Sequence, residues 1–264
     1  MIRCTWLVPI ALAVGAVAGA GCGQRMDVGS DLIWTARFES GALDEWTRVA
    51  GGSVVTSPSS SEVVASPERA HGGAFSAKVT MMTPASPPAA LSVLSREGDL
   101  PDEAYYSAWF YLVQDASVTD ARLLRYWAVM RFRGRSDVSN PDTVFDFLDV
   151  ALRKSPSGGL IVRLFAYDQF ADAPMVIPDP PVLVGRWFHV EALYKNAPGA
   201  ARHFVLWLDG SLVVDIPVTA GDPGWVGWSV GNMGLDLVPP TVTVFVDDCA
   251  ISRVRVGPNG HLSW

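Results

Sequence analysis

Four stretches of this 264-residue chain set aromatic or ionisable side chains at every second position. Tyr105, Ser107, Trp109 and Tyr111 alternate with Tyr106, Ala108, Phe110 and Leu112. Trp127, Val129, Arg131 and Arg133 alternate with Ala128, Met130 and Phe132. Arg163, Phe165 and Tyr167 oppose Leu160, Val162 and Leu164, and Trp187, His189 and Glu191 oppose Phe188, Val190 and Ala192. Successive side chains of a strand leave opposite faces, so each stretch predicts one apolar face and one mixed face. Placed side by side, the mixed faces would line a concave sheet suited to a sugar chain. Rings cover the apolar faces of pyranoses, while Arg and His donate hydrogen bonds to hydroxyls or uronate carboxylates. Trp109, Trp127, Arg133, Arg163, Trp187 and Glu191 are the binding residues this predicts. Three arginines on one face of an acidic protein favour an anionic glycan over a neutral one. The competing expectation packs Trp109 and Trp207 into a second core layer and neutralises the arginines with Asp146 or Asp149.

The same positions supply parts for β-elimination on a uronate polymer. That reaction needs a cation to neutralise the carboxylate, a base for the C5 proton and an acid for the leaving oxygen. Arg131, Arg133 or Arg163 suits the first role, His189 or Tyr105 the second, and Tyr167 the third. A glycosidase is disfavoured. Such enzymes hold two carboxylates about 5–9.5 Å apart, and the Glu-x-Asp-x-x-Glu strand of jelly-roll glucanases is missing. Asp146 and Asp149 point to opposite faces, and Asp142 and Asp146 lie ~13 Å apart on an extended strand. No Gly-x-Ser-x-Gly elbow, P-loop, His-Glu-x-x-His or Rossmann fingerprint occurs, so no organic cofactor is expected.

Short runs of Val, Leu, Phe, Trp and Tyr, separated by Gly, Pro, Asp and Ser clusters, must position these residues. They predict strands at Leu32–Glu39, Ser53–Thr56, Ser76–Met81, Leu91–Leu94, Tyr105–Val113, Leu124–Arg133, Val144–Leu152 and Leu160–Tyr167. Further strands are expected at Trp187–Lys195, Phe204–Leu208, Leu212–Ile216, Val226–Val230 and Thr241–Val256. Asp209-Gly210 suits a tight hairpin turn between the tenth and eleventh. This spacing predicts an all-β, two-sheet antiparallel sandwich of jelly-roll type spanning residues 32–264. With 49% hydrophobic residues the chain can fill one sizeable core, and a net charge of −7 argues against a nucleic-acid partner.

The N-terminus reads as an address. Arg3 precedes an apolar run from Trp6 to Gly21, broken by Pro9 and several glycines and short of a spanning helix. Ala18-Gly19-Ala20-Gly21-Cys22 resembles a bacterial lipobox, with Gly19 where a branched apolar residue is usual; ordinary secretory cleavage is the alternative. The expectation is a signal peptide over 1–21, acylation of Cys22, a tether over 22–31, and an exported monomer that meets a membrane only through its lipid. Cys249 would then be the one free thiol, a small buried hydrophobe.

Four further motifs carry a resemblance. They are Phe38-Glu39-Ser40-Gly41 with Trp46, the run His71–Val79, Trp187-Phe188-His189-Val190-Glu191 leading into Leu206–Gly210, and Val244–Ser252 containing Asp247-Asp248. In this order they resemble the concanavalin A-like jelly rolls, a group that includes laminin-G-like domains, carbohydrate-binding modules and polysaccharide lyases. The resemblance implies a polysaccharide partner, with a lyase or a laminin-G-like adhesion module as alternatives. It also implies a structural calcium where the first and last strands meet, held by Glu39, by carbonyls near Gly41 or Gly72, and by Asp247 or Asp248. Calcium takes six to eight oxygen ligands. Neighbouring strand residues point apart, so at most one of Asp247 and Asp248 faces such an ion, and either is equally suited to pair with Arg253 or Arg255.

Overall fold

The computed structural model describes residues 31–86, 88–98, 100–116, 126–135, 144–166, 171–197, 201–218 and 226–260. Two antiparallel sheets face each other. The first runs β14 (Ser211–Pro217), β13 (His203–Leu208), β12 (Trp187–Lys195), β6 (Glu103–Leu112), β16 (Thr241–Ser252), β4 (Ser76–Met82), β3 (Glu62–Ser66), with β1 (Leu32–Ala36) also pairing β16. The second runs β10 (Ala171–Asp172), β9 (Leu160–Ala166), β8 (Val144–Lys154), β7 (Tyr126–Arg135), β15 (Gly227–Leu235), β5 (Ala89–Glu97), β2 (Gly52–Ser57), with β11 (Pro181–Val182) on β9. The one helix among the described residues, α1 (Asp44–Thr47), buries Trp46 beneath the strands. The all-β sandwich expected from the sequence is therefore present, and its first and last strands pair.

Alternation builds the core. Tyr106, Ala108, Phe110 and Leu112 of β6 and Phe188, Val190 and Ala192 of β12 enter it from the first sheet. Phe132 of β7 and Leu160, Val162 and Leu164 of β9 enter from the second. The Asp209-Gly210 turn forms as expected, with φ of 47° and 82°.

One strand departs from simple alternation. A β-bulge between Ala128 and Met130 shifts β7 by one residue against β8, and β15 bulges between Val230 and Met233. Gly231 makes the second bulge possible: its φ is 134°, and a Cβ there would lie 2.6 Å from the Ser92 carbonyl oxygen. Trp127 and Val129 consequently turn inward, while Tyr126 and Ala128 turn outward. Trp127 is fully buried, and its Nε1 donates to Asn232 Oδ1 at 2.8 Å. Asn232 Nδ2 in turn donates at 2.7 Å to the Val79 carbonyl of the opposite sheet. Trp127, expected as a sugar platform, is thus part of the inter-sheet core.

Candidate functional site

The sheet order separates residues that alternation alone placed together. Strands β6 and β12 are neighbours in the first sheet, whereas β7 and β9 belong to the second. Tyr105, Trp109, Trp187, His189 and Glu191 therefore face out from one side of the molecule, and Arg131, Arg133 and Arg163 from the other. The single trough expected from the sequence does not exist, because periodicity decides inside from outside and not which sheet a strand joins. Tyr167 and Cys22 lie outside the described residues.

On the second sheet, cross-strand register sets a charged row: Ser95, Ser229, Arg131, Asp149, Phe165 and Asp172 are successive partners on β5, β15, β7, β8, β9 and β10. The next row along the strands, Leu91, Met233, Ala128, Ala151 and Arg163, is apolar up to its last member. Asp149 is fully buried and accepts from Arg131 through both Nε and Nη2 at 2.6 Å, and also from the Tyr126 hydroxyl. Burial opposes the Arg131 charge, but the Asp149 carboxylate outweighs it and raises the guanidinium pKa, so the guanidinium stays charged. Burial, and then the Asp149 charge, push the Tyr126 hydroxyl well above its ordinary range and keep its proton in place.

Arg153 lies over the rings of Tyr126 and Phe165, 5.3 and 5.7 Å from their centroids, and pairs with Asp172. Arg133 pairs with Glu97, and Arg163 with Asp179. A groove of about 410 Å³ opens beside this network, with Tyr126 and Arg131 at one end and Ala89, Leu91, Met233 and Leu235 along its walls. The arrangement holds a cation, oriented by Asp149, beside apolar walls, which suits a carboxylate-bearing ring.

The first sheet's outer face carries more rings, but other side chains of the chain cover them. His71 stacks on Trp109 at 3.7 Å, Arg69 sits 4.6 Å over Tyr111, and Arg255 sits 4.5 Å over Trp207. Trp187 meets His71 and Tyr111 edge-on, and Tyr105 leans on Trp207. His189 is only 1% exposed, and its Nδ1 is buried without a hydrogen-bond partner. Burial, followed by the charges of His71 and Arg255, lowers its pKa to about 3. A shielded neutral imidazole on the sheet opposite Arg131 is not a base for a ligand held there. Glu191 is fully buried and accepts from Arg255 Nε at 3.1 Å and from the Val256 and Gly257 amides. Instead of touching a sugar, it clamps the C-terminal segment to β12.

The junction of β1 and β16 was the expected calcium position. Glu39 accepts from the Ala74 amide at 2.9 Å and the Phe75 amide at 3.3 Å. Gly73 presses on it so closely that a Cβ would fall 2.2 Å from the carboxyl carbon. Asp247 accepts from the amides of His71, Gly72 and Asp248, at 2.7, 3.3 and 2.8 Å. Asp248 pairs with Arg37 at 3.3 Å and His71 at 2.7 Å, not with Arg253 or Arg255. Calcium needs converging oxygens, whereas these carboxylates are met by N–H donors and cations, so the residues present do not fit the ion. Among the described residues no cluster of three or more His, Cys, Asp or Glu is placed to hold a metal.

With this geometry in view, solved structures supply the comparison. A fungal endo-β-1,4-glucuronan lyase from Trichoderma reesei superposes with a TM-score of 0.58 at 15% identity, over 85% of this chain and 97% of the lyase. The cellulose-induced protein Cip1 gives 0.59 at 16%, over 84% and 98%. Alginate lyase Aly36B gives 0.57 at 11%, over 84% and 97%. The fold is a jelly-roll sandwich. At these identities the likeness extends to the fold alone. No family model and no curated protein sequence matches the chain.

Sequence alone identified Arg131, Arg133 and Arg163 but not Tyr126 or Arg153, and it marked Asp149 only as a neutraliser of arginine charge. The one signal for them was Asp149, Ala151 and Arg153 at alternate positions of a single strand.

Proposed function

We propose that the outer face of the second sheet binds an anionic polysaccharide, with Arg131 meeting a uronate carboxylate at the head of the groove. The observation that carries this is the Tyr126–Asp149–Arg131 network at the groove's end. Asp149 takes one edge of the guanidinium and fixes its plane, so the ligand finds a pre-oriented cation and little side-chain entropy is lost on binding. The structural likeness to a glucuronan lyase and an alginate lyase, both named for polyuronates, lends the reading support. The leader and Cys22 would deliver such a binding module to the cell envelope.

The test is affinity electrophoresis on alginate and polyglucuronate beside neutral xylan. The protein is expected to be retarded by the polyuronates, less so at high salt, and not by xylan. Arg131→Lys keeps the charge beside Asp149 but loses the planar fork and is expected to weaken binding about tenfold. Equal retardation by xylan, or unchanged affinity in Arg131→Lys, refutes the proposal.

A second reading, β-elimination, draws on the Tyr126 hydroxyl, a retained proton beside the carboxylate-neutralising arginine. Ultraviolet absorbance of an unsaturated uronate product tests it, since rising absorbance on either polyuronate separates a lyase from a binding module.

A further inference from the structure

We infer that the groove selects O-acylated uronate chains, its apolar limb taking the acyl methyl group beside the carboxylate bound at Arg131; this rests on the polyuronate reading above. The limb is built by register. Leu91, Met233 and Ala128 are lateral partners across β5, β15 and β7, and one row further Ala89, Leu235 and Tyr126 are partners across the same three strands. Two adjacent apolar rows, about 6.6 Å apart on extended strands, thus flank the end where Arg131 sits.

Among the described residues, the polar side chains that reach the groove are Ser57, Tyr126 and Arg131, and Tyr126 already gives its proton to Asp149. An unsubstituted 1,4-linked uronate residue keeps free hydroxyls at C2 and C3, and hydroxyls pressed against Leu91, Met233 and Leu235 would lose water without gaining a partner. A methyl group in the same place loses nothing and buries apolar surface. Esterifying the carboxyl would discard the charge Arg131 recognises, so the alkyl group belongs on a hydroxyl oxygen of the uronate. No covalent step is involved. The groove reads two features of one ring, a carboxylate and an acyl methyl.

The experiment compares one O-acetylated alginate with the same preparation after mild alkaline deacetylation, matched for chain length, against the full-length protein by calorimetry. The acetylated polymer is expected to bind about four-fold tighter, the gain from burying one methyl group. Leu91→Asn, which places an amide in the limb at a partly buried position, is expected to bring that ratio toward one. Equal binding of the two polymers, or tighter binding of the deacetylated one, overturns the acyl inference and leaves the polyuronate reading standing. Binding of neither polymer overturns both. The polymer comparison needs no variant, so a misfolded Leu91→Asn protein does not blunt it.

Discussion

The two outer faces of the sandwich are made from similar residues and do opposite things. On the first sheet Trp109, Tyr111 and Trp207 are covered by His71, Arg69 and Arg255 of the same chain, and Glu191 and Asp247 are consumed by backbone amides. On the second sheet Arg153 likewise lies over the rings of Tyr126 and Phe165, and the ionic network borders a groove that Tyr126 and Arg131 line. A composition of rings and arginines therefore does not by itself define a binding face. Both faces find their ionic partners within the chain; what separates them is whether further segments lie over the outward rings. On the first sheet the loop carrying Arg69 and His71 and the segment carrying Arg255 do so.

The largest effect should come from the ion pair at the groove. Arg131→Ala leaves Asp149 buried, with Tyr126 as its remaining side-chain donor among those described here. The expected loss lies toward the lower end of the roughly 3–5 kcal/mol for breaking a buried pair, because 19% of the Arg131 side chain meets solvent. Urea denaturation measures it. The double variant Arg131→Met with Asp149→Leu removes both charges and should regain most of that stability, since apolar residues of similar size often replace a buried pair at little cost. It should still fail to bind polyuronate. A stable double variant that binds normally would take Arg131 out of the site and erase the difference between the faces.

The first sheet offers an electrostatic contrast of intermediate size. Burial, with the neighbouring Asp248 charge, raises the Asp247 pKa from 3.8 to about 8. Between those values the folded protein holds a proton that the unfolded chain has released, so this group's contribution to stability falls as pH rises and levels off above about 8. His189 acts in reverse. Its pKa drops from 6.5 to about 3 on folding, so below 6.5 the unfolded chain gains a proton the folded one refuses, and stability rises with pH over that range. The two slopes oppose each other up to 6.5, and from there to about 8 the Asp247 slope stands alone. Tm should decline across that upper window in the native protein and stay flat in Asp247→Asn. A decline that persists in Asp247→Asn would place the titration elsewhere.

How much of this was legible beforehand follows from the range of each interaction. The inward sets on β6, β9 and β12 are local consequences of a two-residue period, and sequence places them correctly. The partition of those strands between sheets depends on hydrogen bonds between segments far apart in the chain, which alternation does not encode. Parity along β7 depended on paired bulges, and the signal for these is a glycine on a different strand, Gly231. For that reason alternation assigns Ala128 to the core and Trp127 to the surface, the reverse of their positions. Arg131 and Arg133 were placed outward although Trp127 and Val129, assigned to the same face, turn in: the bulge lies between the two pairs.

The smallest expected effect makes the sharpest distinction between the faces. Trp187 projects from β12 on the first sheet, edge-on to His71 and Tyr111, and is partly buried. Trp187→Ala removes two edge contacts, each worth about 0.5–1.5 kcal/mol beyond area burial, so stability should drop measurably. Affinity for polyuronate should not change, because the hydrophobic core lies between this residue and Arg131. A tryptophan that stacked on sugar would behave otherwise, since its truncation weakens binding at the point of contact. If Trp187→Ala abolishes retardation on alginate while Arg131→Lys leaves it intact, the roles of the two faces are exchanged. The cations now resting on the first sheet's rings would then have to swing aside to admit a ligand.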